Sequence, residues 1–284
     1  MNGVSTPPRR CLVCAVFSCF PILYPVGYGL WLIDALISAG VTDSALTNHG
    51  VLQIQRLAVH FKAQGVEFTN IFSSDLVRAR TTAEGICGLH GEDAASTVLR
   101  PVLLPVLREK NFGPLEGKSW LAEATYLTQG EQESQAAVAA RVDLFLREHL
   151  LPVLHDAGST AKVVAVVSHG VFLSAIWDGL SRLFLSKNIN LGPDVPVNRR
   201  IALWSNTGYL EVVVERIGDA SVPVATSDAP NDPEAVANTL HGHTMTVLTV
   251  NGKHHLRNLT RTPGVGSAKH DPNQRRLDSF FQKN

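Results

Sequence analysis

Lys162-Val163-Val164-Ala165-Val166-Val167-Ser168-His169-Gly170 decides the fold. A nearly continuous β-branched run of this length reads as a central parallel strand, buried on both faces. Helical spacing resumes at once, from Val171 to Phe184. A strand that hands over directly to a helix puts the residues between them at the carboxyl end of a sheet, where ligands bind in open α/β folds. His169 stands at that junction, and Gly170 lets backbone approach a ligand closely. On these residues alone His169 is either a ligand-binding group or a satisfied core histidine.

The same alternation recurs on both sides. Leu46, Val51, Ile54, Leu57, Ala58 and Phe61 recur at helical spacing behind a cap at Thr47 or Asn48. Thr69 to Phe72 reads as a short buried strand leading into a helix from Leu76 to about Leu89, and Ser134 to Leu154 predicts a long third helix. Further strands are expected at Ile201 to Trp204, Leu210 to Ile217 and Met245 to Val250, the last closing on a turn at Asn251-Gly252. Gly218 to Asn238, rich in Ala, Pro, Asp and Ser, reads as a surface loop. The pattern is that of an α/β protein.

Two more stretches carry chemistry. Ser73-Ser74-Asp75-Leu76-Val77-Arg78-Ala79-Arg80 spans a strand end and a helix start, where backbone N–H groups and an arginine one turn inside hold an oxyanion together. Solvated surface arginines are the plainer reading of that stretch. Leu107-Arg108-Glu109-Lys110-Asn111-Phe112-Gly113-Pro114-Leu115-Glu116-Gly117 places two carboxylates among glycines. Partial burial would raise the pKa of one of them and make it a proton donor, whereas two solvated glutamates would be ordinary loop residues.

Taken together and in order, these motifs and the later Ser205-Asn206-Thr207-Gly208 resemble the histidine phosphatase (phosphoglycerate mutase-like) superfamily, from about Ala39 to Leu256. The wording of the Glu109 loop is closest to the fructose-2,6-bisphosphatase-like branch. The resemblance implies a three-layer α/β/α sandwich with a mostly parallel central sheet. It implies Arg78 and His169 as phosphate ligands, Glu109 as catalytic proton donor beside His169, Glu116 as a supporting loop residue, and Asn206 and Thr207 at the pocket rim. The substrate implied is a small phosphorylated metabolite, such as a sugar phosphate, with no cofactor and no metal.

The family mechanism also implies a first-strand Arg-His-Gly whose histidine attacks phosphorus. No Arg-His-Gly occurs in the chain. Family order puts it after Cys11-Leu12-Val13-Cys14, where Ala15 to Ser38 stands. That stretch reads as a replacement of the nucleophile segment, such as a translated intron or alternative exon, and residues 1–38 are set apart from the domain at 39–256. His49, in Asn48-His49-Gly50, falls at the start of a helix and is excluded as the nucleophile. The expectation is a family phosphatase impaired in phosphomonoester hydrolysis, and its alternative is a non-catalytic phosphate-binding or clamp-binding protein.

Composition bounds the remaining classes. The 284 residues carry 25 Lys and Arg against 25 Asp and Glu, a balance that argues neither for nucleic acid nor for an acidic partner, and no direct nucleic-acid binding is expected. Of four cysteines, Cys11, Cys14 and Cys19 crowd near the start, unlike a secreted disulfide framework, so a reducing cytoplasmic compartment is expected. The Cys11-x-x-Cys14 pair lacks a second pair of ligands for zinc. Cys11 to Ile33 holds no charged residue, yet Pro21, Pro25, Gly27 and Gly29 interrupt it and argue against a membrane span.

From Leu256 onward apolar spacing is lost, and residues 257–284 read as a mobile basic tail. Within it Gln274, Leu277, Phe280 and Phe281 match the QxxLxxFF motif that docks on the DNA sliding clamp (proliferating cell nuclear antigen), which adds a nuclear location to the cytoplasmic one. The other reading folds Phe280 and Phe281 back as a hydrophobic clasp.

Overall fold

In the computed structural model, which describes residues 10–17, 40–88, 99–116, 132–156, 161–193, 195, 204–217 and 240–261, the chain builds one seven-stranded sheet covered by helices on both faces. In chain order the elements are β1 (Arg10–Phe17), α1 (Asn48–Ala63), β2 (Asn70–Ser73), α2 (Val77–Gly88), β3 (Val102–Leu103) and α3 (Gln135–Phe145). They continue with α4 (Leu151–His155), β4 (Lys162–Ser168), α5 (Gly170–Arg182), β5 (Ile189–Leu191), β6 (Tyr209–Arg216) and β7 (His243–Gly252). Strand order across the sheet is β3-β2-β4-β1-β6-β7-β5. Strands β3, β2, β4 and β1 run parallel, β6 is antiparallel to β1 and β7, and β5 pairs parallel with β7. The expected three-layer sandwich with a mostly parallel sheet is present.

The pleat of β4 explains the layers. Val164 and Val166 face a core shared with Val142 and Phe145 of α3 and Phe172 and Ile176 of α5. Ala165 and Val167 point the other way, against Leu57 and Phe61 of α1 and Ala83 and Ile86 of α2. A strand buried on both faces needs no polar alternation, and each valine so buried contributes about 1.5–3 kcal/mol. Thr47 caps α1, its hydroxyl accepting the Gly50 N–H at 3.1 Å.

Three details add to the sequence reading. The long helix from Ser134 has its N-cap there but does not run uninterrupted to Leu154: a π turn, Leu146–Leu150, separates α3 from α4. Pro152 stands two residues beyond that turn, and a residue without an N–H that crowds the carbonyl four positions back favours such a change of winding. Residues 15–17 continue β1, paired with Val166, Val167 and Ser168, so the sheet takes in a strand from the segment set apart as 1–38. Residues 257–261 belong to the described structure too: Arg56 of α1 donates to the Arg257 carbonyl at 2.9 Å, and the Leu259 N–H donates to Leu256. Residues 201–203, 218–239 and 262–284 lie outside the described residues, and with them most of the expected strand from Ile201, the loop from Gly218, and Gln274, Leu277, Phe280 and Phe281. Among the described residues no helix is long and apolar enough to cross a membrane.

Candidate active site

The register of the sheet brings the candidate residues to one edge. Ser73 ends β2 beside Val167, Ser168 ends β4 beside Phe17 of β1, and Tyr209 opens β6 beside Val16. Arg78, on the first turn of α2, His169, immediately after β4, and the Ser205 to Gly208 turn before β6 therefore cluster at the carboxyl ends of the parallel strands.

Arg78 is not a surface arginine. It is 1% exposed, and His169 is fully buried. Arg78 Nε donates to His169 Nδ1 at 3.2 Å. An accepting Nδ1 leaves the imidazole proton on Nε2, so the neutral ring presents a donor on its far side. Two further guanidinium donors go to backbone, Nη1 to the Thr42 carbonyl at 2.9 Å and Nη2 to the Gly40 carbonyl at 2.6 Å. Asp43 of the same segment accepts the Val77 N–H on both carboxylate oxygens, at 3.0 and 3.1 Å, and so caps α2.

Glu109 is 7% exposed. Its Oε1 accepts the Lys110 and Phe172 N–H groups at 2.8 and 3.1 Å, and its Oε2 accepts the Val171 N–H at 3.1 Å. The carboxyl thus closes the N-terminus of α5, whose N-cap residue, His169, makes no side-chain cap. Burial pushes the Glu109 pKa above the ordinary range, and the three N–H groups and the Arg78 charge oppose that shift without reversing it. A carboxyl that keeps its proton to higher pH beside a buried arginine and histidine is equipped to donate it.

The loop carrying Glu109 is fixed by several ties. Ser168 Oγ donates to the Leu107 carbonyl at 2.7 Å, and the Leu104 N–H donates to Ser73 at 2.8 Å. Arg108 grips Asp75 through Nε and Nη2, at 2.7 and 2.5 Å, and that hydrogen-bonded guanidinium holds the Asp75 carboxyl below its usual range. Arg141 of α3 donates to the carbonyls of Val106, Arg108 and Glu109 and to both oxygens of Glu133. A cleft of about 490 Å³ opens beside Glu109, lined also by Val41, Pro105, Arg108, Asn111, Glu133 and Arg141. Asp43, Arg141 and Glu133 escape a reading of motifs, because the backbone groups they hold lie 22 to 35 residues away.

Asn206 and Thr207 stand on the same sheet edge but hold different partners. Thr207, left-handed at φ 54°, donates its hydroxyl to the Asn206 carbonyl at 2.7 Å and so accepts from His255 Nε2 at 2.8 Å. His255 packs 5.8 Å from the ring of His60, whose Nε2 lies 2.9 Å from the Tyr209 hydroxyl. Burial, with the nearby His60 and His254, lowers the His255 pKa to about 4. Asn251 Oδ1 accepts the Ser205 N–H at 2.9 Å and crowds Gly208 so closely that a side chain there would overlap it.

Among the described residues no group of three or more His, Cys, Asp or Glu side chains converges as a metal site. The one cysteine whose side chain is described, Cys87, is a free thiol whose pKa burial raises to about 11, which makes it unreactive.

Comparison with known proteins accords with this geometry. The chain is 26% identical over 256 residues to a probable phosphatase of Schizosaccharomyces pombe, covering 85% of this chain and 72% of the relative. It is 26% identical over 193 residues to a 2,3-bisphosphoglycerate-dependent phosphoglycerate mutase of Xanthobacter autotrophicus, covering 61% and 88%. The fold is shared with a mycobacterial glucosyl-3-phosphoglycerate phosphatase, at a TM-score of 0.55 and 18% identity over 87% of this chain and all of that one. The model of the histidine phosphatase superfamily (branch 1) matches residues 34–196, which hold Arg78, Glu109 and His169 and begin only after β1. A match over more than half of the chain, on the residues that the sheet gathers at one edge, places this protein in the histidine phosphatase superfamily.

Proposed function

We propose that this protein binds a small phosphate monoester at the edge formed by Arg78, His169 and Glu109, and that its turnover is strongly reduced. The observation that carries the reading is the 3.2 Å contact between Arg78 Nε and His169 Nδ1, made by two side chains buried at the end of the central strand. In this reading Arg78 supplies fixed positive charge, His169 donates from Nε2 to a phosphate oxygen, Glu109 holds the proton for the leaving oxygen, and Asn206 and Thr207 form the rim. Positioned donors of this kind stabilise charge that develops on the transferring group.

What the chain lacks is an Arg-His-Gly segment to attack phosphorus. Positioning without a nucleophile leaves about 10³ to 10⁴-fold catalysis over water. A small phosphorylated metabolite is the substrate class this reading takes, and a relative named for 2,3-bisphosphoglycerate supports it.

The test has two arms. Calorimetric titration with inorganic phosphate should show binding that Arg78→Ala and His169→Ala each weaken by about tenfold or more. Hydrolysis of p-nitrophenyl phosphate should stay far below about 1 per second, an ordinary enzyme turnover. Phosphate binding indifferent to both substitutions would remove the pocket, and ordinary turnover would remove the impairment.

A second reading concerns the tail, with a cytoplasmic and nuclear location as its corollary. Gln274, Leu277, Phe280 and Phe281 occupy all four defining positions of the clamp-docking motif. An apolar plug of Leu277 and two aromatics, with Gln274 hydrogen-bonding beside it, suits a short helix seated in a groove of the sliding clamp.

A further inference from the structure

Gly40, Val41 and Thr42 run between two opposite charges. On one side Arg78 donates to the carbonyls of Gly40 and Thr42, at 2.6 and 2.9 Å. On the other, Glu116 Oε1 accepts the Val41 N–H at 3.0 Å, and Oε2 accepts the Thr42 N–H at 2.8 Å together with the Thr42 hydroxyl. Oε1 also takes the Phe112 N–H at 3.3 Å. The Gly40 carbonyl and the Val41 N–H belong to one peptide unit. Its oxygen end therefore meets a guanidinium while its N–H end meets a carboxylate, and each contact polarises the amide and strengthens the other.

The local backbone is built for this arrangement. Gly40 adopts φ +44°, and a Cβ there would overlap the Glu116 carboxylate. The two glutamates of the loop divide the work between them: Glu109 closes α5, while Glu116 spends its oxygens on the 40–42 strap and on its own loop.

We propose that Glu116 is the positioning residue of Arg78, holding the guanidinium in line with His169 through the peptide units of Gly40 to Thr42. A glutamine at 116 offers one acceptor and one donor where the strap presents two N–H donors. The strap then shifts, its carbonyls leave the guanidinium, and Arg78 keeps only its Nε bond to His169. The consequence for ligand binding rests on the reading of Arg78 as a phosphate ligand. The coupling itself does not, and it is read separately.

The experiment follows the Arg78 side chain by NMR, through the hydrogen exchange of its Nε–H in the full chain. Glu116→Gln should speed that exchange by about tenfold or more, and Gly40→Ala should do the same from the strap's side with the Glu116 charge intact. Thr42→Val, which removes only the hydroxyl, should change it by less than about twofold. Inorganic phosphate should bind about tenfold more weakly to Glu116→Gln, and Glu116→Gln with Arg78→Lys should bind no more weakly than Arg78→Lys alone. Arg78 exchange that is unchanged in a folded Glu116→Gln or Gly40→Ala protein overturns the proposal, whatever phosphate does. If exchange responds while no variant, wild type included, binds phosphate, the coupling stands and the phosphate pocket falls.

Discussion

The guanidinium carbon of Arg141 lies 4.4 Å from the centre of the Phe172 ring, and the backbone N–H of that same Phe172 donates to Glu109. Arg141 thus braces both the loop that carries Glu109 and the helix start that receives it. Lysine at 141 keeps the charge but loses the fork that serves three carbonyls and Glu133. Arg141→Lys should lower stability by about 2 kcal/mol. Urea unfolding checks it, and a loss below about 0.5 kcal/mol would show that the fork is dispensable.

Glu109 gives the protein a pH dependence of definite sign. Its folded pKa lies above its unfolded value, so its stability contribution is complete at low pH and is lost as pH rises through the folded pKa. Glutamine mimics the protonated form. The stability of Glu109→Gln relative to wild type should therefore improve steadily from pH 4.5 upward. Denaturant unfolding of both proteins at a series of pH values would reveal a constant difference if burial did not raise the pKa of the carboxyl.

His255 has the opposite sign. Its folded pKa is depressed from 6.5 to about 4, so the stability it confers is present above 6.5 and drains away as pH falls from 6.5 toward 4. The ceiling is about 3 kcal/mol, and solvent screening brings it to about 2. His60 is lowered by burial as well and adds to the slope. Replacing His255 by leucine should flatten melting temperature against pH in that window, and an unchanged slope would assign the acid sensitivity to other groups.

For the tail, a peptide of residues 269–284 titrated against the sliding clamp should bind with a Kd at or below about 10 μM. Phe280→Ala with Phe281→Ala should abolish binding. Absence of binding at ten times that concentration would leave the two aromatics to a clasp on the domain.

The readable parts of the chain were those whose physics is local. The apolar run of β4, the Thr47 cap and the strand-to-helix junctions at Ser73 and Ser168 depend on neighbours in sequence. Strands β3 and β5, of two and three residues, are too short to carry a period. The π turn before Pro152 hides inside an intact helical pattern. At the site, the family resemblance carried by the motifs marked out Arg78, Glu109 and His169, but nothing local shows that Arg78 is buried by carbonyls 36 and 38 residues upstream.

Strand β1 has a consequence for biosynthesis. It emerges from the ribosome before every other strand described, yet its partners are Lys162 to Ser168 on one side and Tyr209 to Glu215 on the other. Until both are made, an apolar strand destined for the middle of the sheet waits with two open edges, an invitation to chaperones and to aggregation alike. Such long-range closure makes folding slow, and the strand made first is among the last to be locked in place.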